Sequence, residues 1–302
     1  MRGGTAVLVA AVLASAPVRA QSGPALSLRV DGVWVTWWEA ARGPARWGGP
    51  LPVVADAVAW QPAADGIEWG ELTLSGAGSA WRIRVILARL DPARLSFRVV
   101  VPPRREDGFA GRWTIDDAPA GTLLALNAGQ FTSGPWGWIV QDGVVRQPPG
   151  TGPLAPGVAF LRDGRVTMPP PDSLAVDGVA DAFQSYPALL VGDGELPRPL
   201  RQEGLGVDLT HRDSRLAFGV LRDGRVLVAL TRFEGLGGVL EVAPFGFTTP
   251  EMAAIMGALG CGRAVLLDGG LSGQMMLMEQ GKSRSWPGLR AVAAGLVVTA
   301  RD

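Results

Sequence analysis

The sequence predicts a strand-rich α+β fold, a mixed sheet domain with few helices, and three observations carry that reading. Short apolar runs of β-type residues recur from position 67 to the C-terminus. Asp-Gly, a strong hairpin dipeptide, occurs at Asp31, Asp65, Asp107, Asp142, Asp163, Asp177, Asp193, Asp223 and Asp268. One segment alone, FTTPEMAAIMGALGCG at 247–262, has full helix punctuation.

Taken in chain order, residues 1–20 have the layout of a secretory signal peptide. Arg2 supplies the positive start, the apolar run extends from Ala6 to Ala14, and Val18-Arg19-Ala20 supplies the small-residue end, with cleavage expected after Ala20. The run is too short to span a bilayer, and no later stretch is long and apolar enough, so a soluble periplasmic or secreted protein without an integral membrane segment is expected. Residues 21–65 read as a loosely regular lead-in whose strand-like piece is VWVTWW. The main domain is expected over 66–302, beginning at IEWGELTL.

Within that domain AWRIRVILARL, RLSFRVVV, TLLAL, WGWIV, GVAFL, YPALLVG, LAFGVL, RVLVALT, AVLLD and AVAAGLVV read as strands. FLRDGRVTM and VLRDGRVLVAL look like two hairpins of nearly the same construction. In the helical segment Thr248 or Thr249 can cap the N-terminus, Pro250 fits the first turn, and Glu251 completes a capping box with Thr248. Met252, Ile255, Met256 and Leu259 keep the i, i+3, i+4, i+7 spacing of an amphipathic helix, and Gly260 can stop it.

Composition excludes several functions. The 28 basic and 28 acidic side chains cancel and no basic cluster stands out, which argues against a nucleic-acid surface. Cys261 is the one cysteine, so no intramolecular disulfide can form, and it reads as a buried small hydrophobe. Since the chain has one cysteine and one histidine, His211, a zinc site built on those ligands is excluded. No cofactor is expected, although a carboxylate and carbonyl site for a hard divalent cation stays open. GKS at 281–283 resembles the end of a phosphate loop, but Met276 stands where that loop needs glycine.

Three segments carry candidate chemistry. Asp268 ends the wholly apolar run AVLL and is followed by Gly269 and Gly270, whereas Asp163 and Asp223 sit between charges in RDGR as solvent-facing turns do. It is either one more turn or a carboxylate at a buried strand end, where bare backbone lets a ligand approach and burial perturbs ionisation. Asn127 likewise ends an apolar run, in LLALNAGQFTSGPWGW. It either satisfies a turn or presents a polar group at a pocket rim, with Phe131, Trp136 and Trp138 able to stack on a sugar. In HRDSRLAFGV, His211, Arg212, Asp213 and Arg215 precede a strand, and an arginine there can clamp a phosphate or remain a solvated charge.

Together the blocks LNAGQF (126–131), FQSYPALLVGDGEL (183–196), DSRLAFGVLRDGRVLVALT (213–231), FTTPEMAAIMGALGCGRAVLLDGGLSGQMML (247–277) and the closing RAVAAGLVV resemble, in order, those of the phosphodiester glycosidase family. Its members include enzymes acting on N-acetylglucosamine-1-phosphodiesters and bacterial exopolysaccharide-associated proteins. The resemblance covers about residues 66–300, and its most specific element is the helix, the Leu-Gly-Cys turn and the LLDGG strand end, with Ser272 at the family's serine. It departs at Leu216, where the family commonly has a small polar residue, and at Gln130, where it has Met or Phe.

The resemblance implies an exported hydrolase of a sugar-1-phosphodiester in envelope or extracellular polysaccharide. Arg215 would hold the phosphate, and Asp268 would act at the anomeric carbon as nucleophile, base or electrostatic stabiliser. Asn127 and Gln184 would position sugar hydroxyls. Gly129, Gly269, Gly270, Ser272 and His211 would complete substrate binding. A second carboxylate is expected, with Asp213 and Asp208 as candidates and Glu251 read as a helix cap. A non-catalytic carbohydrate-binding protein on the same fold and a metal-dependent phosphodiesterase are the alternatives.

Overall fold

The structure, a computed structural model, describes residues 23–77, 80–104, 106, 110–234 and 245–301. The signal-peptide reading and the Asp107 turn lie outside the described residues. The stretch read as a loosely regular lead-in is built into the fold, with more regular elements than VWVTWW alone. Strands β1 (Ala25–Val30) and β2 (Val33–Glu39) form a hairpin across Asp31 and Gly32, whose φ values of 48° and 85° suit a tight turn. A short helix, α1 (Pro52–Ala55), and β3 (Gln61–Ala64) follow. β4 (Ile67–Ser75) then pairs with β1, β3 and β5 (Ile83–Leu90).

The chain next enters two smaller sheets. β6 (Leu95–Val100) and β7 (Leu124–Asn127) belong to one of them. β8 (Ile139–Gln141), β9 (Val144–Gln147), β10 (Gly157–Leu161), β11 (Val166–Thr167) and β12 (Val179–Gln184) form the other, in the order β11-β10-β12-β8-β9. β13 (Ala188–Leu190), β14 (Leu216–Leu221) and β15 (Val226–Phe233) return to the first sheet. Helix α2 (Thr249–Ala258) leads into β16 (Cys261–Leu267), which inserts between β13 and β14. The hairpin of β17 (Met275–Glu279) and β18 (Lys282–Trp286), then β19 (Gly295–Ala300), complete the order β18-β17-β7-β19-β6. The strand-rich α+β class with few helices holds. The pairing among the described strands is antiparallel throughout rather than mixed.

The large sheet is buried on both faces. Val85, Leu87, Ala217, Leu227, Ala229, Ala264 and Leu266 pack on the α2 side, while the alternating Ile86, Ala88, Leu216, Phe218, Val228, Val265 and Leu267 face the smaller sheets. That double burial explains why these strands read as unbroken apolar runs. The two RDGR hairpins share one cap: Asp163 accepts from the Arg165 backbone and side chain at 2.9 and 2.8 Å, and Asp223 from Arg225 at 3.0 and 2.8 Å.

Helix α2 has the expected capping box, with the Thr248 hydroxyl accepting from the Glu251 N–H at 3.3 Å and the Glu251 carboxylate accepting from the Thr248 N–H at 2.8 Å. It is not amphipathic, however: all ten residues are buried. A helix enclosed on every side has no wet face to keep polar. Trp47, from the lead-in, lies directly against Gly257, and Arg212 meets the buried Glu251 in a fork at 2.7 and 2.9 Å. Among the described residues no helix is long and apolar enough to cross a membrane.

Candidate functional site

β16 ends at Leu267 and delivers Asp268 into a cavity of about 640 Å³. Its backbone sets Asp268 apart from the other Asp-Gly pairs. The glycines after Asp31, Asp65, Asp142, Asp163, Asp177, Asp193 and Asp223 all have φ between 73° and 92°, whereas Gly269 lies at φ −106° and ψ −138°. The chain here runs on into a single 3-10 turn, Gly270–Ser272, instead of reversing as a hairpin.

Neighbouring strands fix what faces Asp268. β14 pairs with β16 so that Leu216 opposes Leu267, and one step further brings Arg215 opposite Asp268. The two segments lie in close contact: Gly270 N–H donates to the Ser214 carbonyl at 2.8 Å, and a Cβ on Gly269 would come within 2.5 Å of that same oxygen. A Cβ on Gly270, whose φ is +54°, would meet the Asp213 carboxylate at 2.7 Å. Both glycines are therefore required by packing, and the second also by conformation.

The cavity concentrates charge. Asp268 Oδ2 is buried and has no hydrogen-bond partner among the described residues. Burial pushes the Asp268 carboxyl above the usual carboxylate range and Asp213 adds to the rise, while the Ser272 side chain and the Arg290 charge pull it down. Burial also raises Asp213, against the attraction of Arg215, the Ser214 N–H at 2.8 Å and His211. Arg215 is drawn below its usual value by burial, and the carboxylates of Asp213, Asp208 and Glu251 oppose this. Its Nε and Nη2 donate to the carbonyls of Phe247 and His211 at 2.9 and 2.7 Å, which holds the guanidinium plane in place. Asp208, also in the wall, is held below the ordinary range by N–H bonds from Thr210 and His211.

The opposite wall comes from the smaller sheets. β7 ends at Asn127, whose amide donates to the carbonyls of Asp268 at 2.7 Å and Ser272 at 2.9 Å. Gly129, at φ +70°, accepts from the Asp268 N–H at 3.2 Å and lies against the Gln184 backbone. Gln184 is fully buried, accepts from the Trp138 and Gly150 N–H groups, and donates to the Gly150 and Ala155 carbonyls.

Of the residues picked out from sequence, Asp268, Arg215, His211, Gly269 and Gly270 line the cavity together. Asn127, Gly129, Gln184 and Ser272 stand behind it and shape its wall. All four hydrogen-bonding positions of the Gln184 amide are committed to backbone, which leaves none for a sugar hydroxyl. Phe131 and Trp136 reach the cavity, whereas Trp138 is buried among Val140, Ala159 and Val179. Leu216 is core, which explains how an apolar residue is accommodated after Arg215. Gln130 lines the cavity and donates to the Tyr186 carbonyl at 3.0 Å. Tyr186, Thr151 and Gly152 are wall residues that the sequence did not mark for function, although Tyr186 is the chain's one tyrosine. Among the described residues no group of three or more His, Cys, Asp or Glu converges as metal ligands. Cys261 is fully buried and free, and burial pushes its thiol far up.

No curated protein matches this sequence. Several solved structures are similar in fold, two of them as follows. A hypothetical protein from Synechocystis is 15% identical with a TM-score of 0.54, over 81% of this chain and 64% of that one, so this chain spans less than two thirds of that protein. The catalytic domain of zebrafish N-acetylglucosamine-1-phosphodiester alpha-N-acetylglucosaminidase, auto-inhibited by its pro-peptide, is 18% identical with a TM-score of 0.58, over 84% of this chain and 95% of that one. Residues 120–299, more than half of the chain, match the phosphodiester glycosidase family and span every residue that lines the Asp268 cavity. The protein therefore belongs to the phosphodiester glycosidase family, a family of glycosidase-type hydrolases.

Proposed function

We propose that the protein is an exported hydrolase that cleaves the bond between the anomeric carbon of a sugar and a phosphodiester, in envelope or extracellular polysaccharide. The observation that carries this reading is the shared cavity of Asp268, Asp213 and Arg215, with aromatic walls at Phe131 and Trp136. Arg215 is fixed by two carbonyls and leaves Nη1 without a hydrogen-bond partner among the described residues, a charge placed to meet a phosphate oxygen. The phosphodiester is a good leaving group once its charge is met, so protonation of the departing oxygen contributes less than in an ordinary glycoside. Asp268 faces the positive charge that grows at the anomeric carbon, as nucleophile or electrostatic partner. Asp213, raised by burial and next to Arg215, is the second carboxylate, able to pass a proton between water and the reacting oxygen.

Phe131 and Trp136 offer faces for a pyranose, and Tyr186 and Gln130 line the same cavity. The test is product analysis on an alkyl N-acetylglucosamine phosphodiester, with and without chelator. The reading requires free reducing sugar and an alkyl phosphomonoester in both conditions. Sugar phosphate lost on chelation would indicate metal-dependent P–O cleavage, and binding without turnover would indicate a carbohydrate-binding protein.

A further inference from the structure

Phe131 and Thr132 belong to two cavities at once. On their other side lies a cleft of about 510 Å³, bounded by Ala110 to Arg112, Ser133 and residues 289–293. Its electrostatics are opposite to those of the Asp268 cavity. Among the described residues no acidic side chain lines it, and it holds two arginines, Arg112 and Arg290. Both are exposed, and neither makes an ion pair with a described residue. Elsewhere arginines are commonly matched: Arg46, Arg89, Arg98, Arg165, Arg225 and Arg284 each lie within 3.1 Å of a carboxylate. The Arg290 guanidinium lies over the Phe131 ring, 4.8 Å from its centroid, so the wall between the two cavities also orients one of the two arginines, whose charge is felt by Asp268 on the other side. The hydroxyls of Thr132 and Ser133 add neutral donors along the floor.

Two exposed guanidinium groups without an ion pair, lining one concave cleft, are suited to meet an oxyanion. Its contiguity with the Asp268 cavity gives the anion a source. We propose that this cleft is a subsite for a second anionic group, a phosphodiester or a uronate, on the same glycan whose scissile bond lies at Asp268. The inference rests on the proposed function and makes the substrate class a charged oligomer or polymer rather than a single capped sugar. Such a chain passes over Phe131, with its reacting sugar on the acidic side and its next anion on the basic side.

The test measures binding by calorimetry to the full chain carrying Asp268→Asn, using three probes: tetragalacturonate, a phosphodiester-linked N-acetylglucosamine oligomer and neutral chitotetraose. The two anionic probes should bind more tightly than the neutral one, and the tighter of the two identifies the anion. Adding Arg112→Ala should weaken the anionic probes about tenfold and leave an alkyl N-acetylglucosamine phosphodiester, which fills only the Asp268 side, unchanged. Rising salt should weaken anionic binding less in the variant than in its parent. Arg112 is exposed, so an unchanged melting temperature serves as the folding control. Equal binding of neutral and anionic probes, or anionic binding indifferent to Arg112, would overturn the proposal. Failure of the wild type to hydrolyse the short phosphodiester, with Arg112-dependent binding retained, would count against the proposed reaction and leave the subsite standing.

Discussion

The Asn127 side-chain amide donates to the Asp268 backbone carbonyl at 2.7 Å, so the end of β7 in one sheet fixes the end of β16 in another. The same nitrogen holds the Ser272 carbonyl at 2.9 Å, which spans the turn that follows the carboxylate. Asn127→Ala leaves two buried carbonyls without this donor, at a cost of about 2 kcal/mol in stability. It should lower kcat roughly 100-fold with a smaller change in KM, because the reacting carboxylate loses its setting while the rest of the cavity persists. Asn127→Asp, nearly identical in shape, should be no better, since it replaces the donor with an anion facing carbonyl oxygens. Steady-state kinetics and denaturant unfolding on the two variants check this.

Asp268 should show a conflict between stability and function. Burial raises its carboxyl above the ordinary range, so the folded chain disfavours the ionised form. For a group shifted upward in this way, folding is penalised fully above its folded pKa, and the penalty disappears below the unfolded value. Asp268→Asn therefore removes a penalty at neutral pH. The variant should be inactive and melt about 2 °C higher than wild type at pH 7. The gain should vanish as pH falls to about 4, the value for an unfolded aspartate. Thermal melts across that window test the sign.

The same shift governs activity. Asp268 must be ionised to act at a developing cation, so the acidic limb of the kcat/KM profile should lie above the normal carboxylate range. Asp213 is also raised by burial, and its negative charge adds to the rise at Asp268. Asp213→Asn should move that limb downward by removing the neighbouring negative charge. A limb unmoved by Asp213→Asn would separate the two groups.

Gly270→Ala tests the contact between the DGG turn and the arginine segment. At φ +54°, with a new Cβ 2.7 Å from the Asp213 carboxylate, alanine should cost about 2 kcal/mol. It should also reduce activity by displacing Asp213, whereas Gly224→Ala, strained at φ +87° but with open space around its Cβ, should destabilise without lowering kcat.

Arg212 stabilises the fold through Glu251. The carboxylate is fully buried at the start of α2 and receives both arms of the guanidinium. Arg212→Met leaves that charge unpaired and should cost about 3 kcal/mol. The double variant Arg212→Met/Glu251→Gln should recover part of the loss, measured by urea unfolding.

The legible parts of this fold are those determined by local chemistry. The Asp223-Gly224-Arg225 turn contains its own cap, and the Thr248/Glu251 box closes within four residues, so both could be read from neighbouring letters. The β17–β18 hairpin could not. Its strands MMLME and KSRSW lack the usual β-branched and aromatic density, and its turn places Gln280 and Gly281, not Asp-Gly, at positive φ. Nor could the burial of α2, because the spacing of Met252, Ile255, Met256 and Leu259 marks one apolar face and is silent about what covers the other. Within the candidate site the sequence singled out Asp268 and Arg215, which share the cavity wall. It placed Asn127 and Gln184 beside substrate, whereas their amides hold the backbone of the surrounding loops. Both end apolar strands with a polar side chain, and only cross-sheet packing decides whether such a group faces a cavity or a neighbouring carbonyl.

The central claim is that bond cleavage occurs at the anomeric carbon under the control of Asp268. Hydrolysis of an N-acetylglucosamine phosphodiester in water enriched in the heavy oxygen isotope, followed by mass analysis of both products, tests it directly. The account predicts label in the reducing sugar, none in the phosphomonoester, and no turnover by Asp268→Asn. Label in the phosphate, or equal sugar release by wild type and variant, would contradict it.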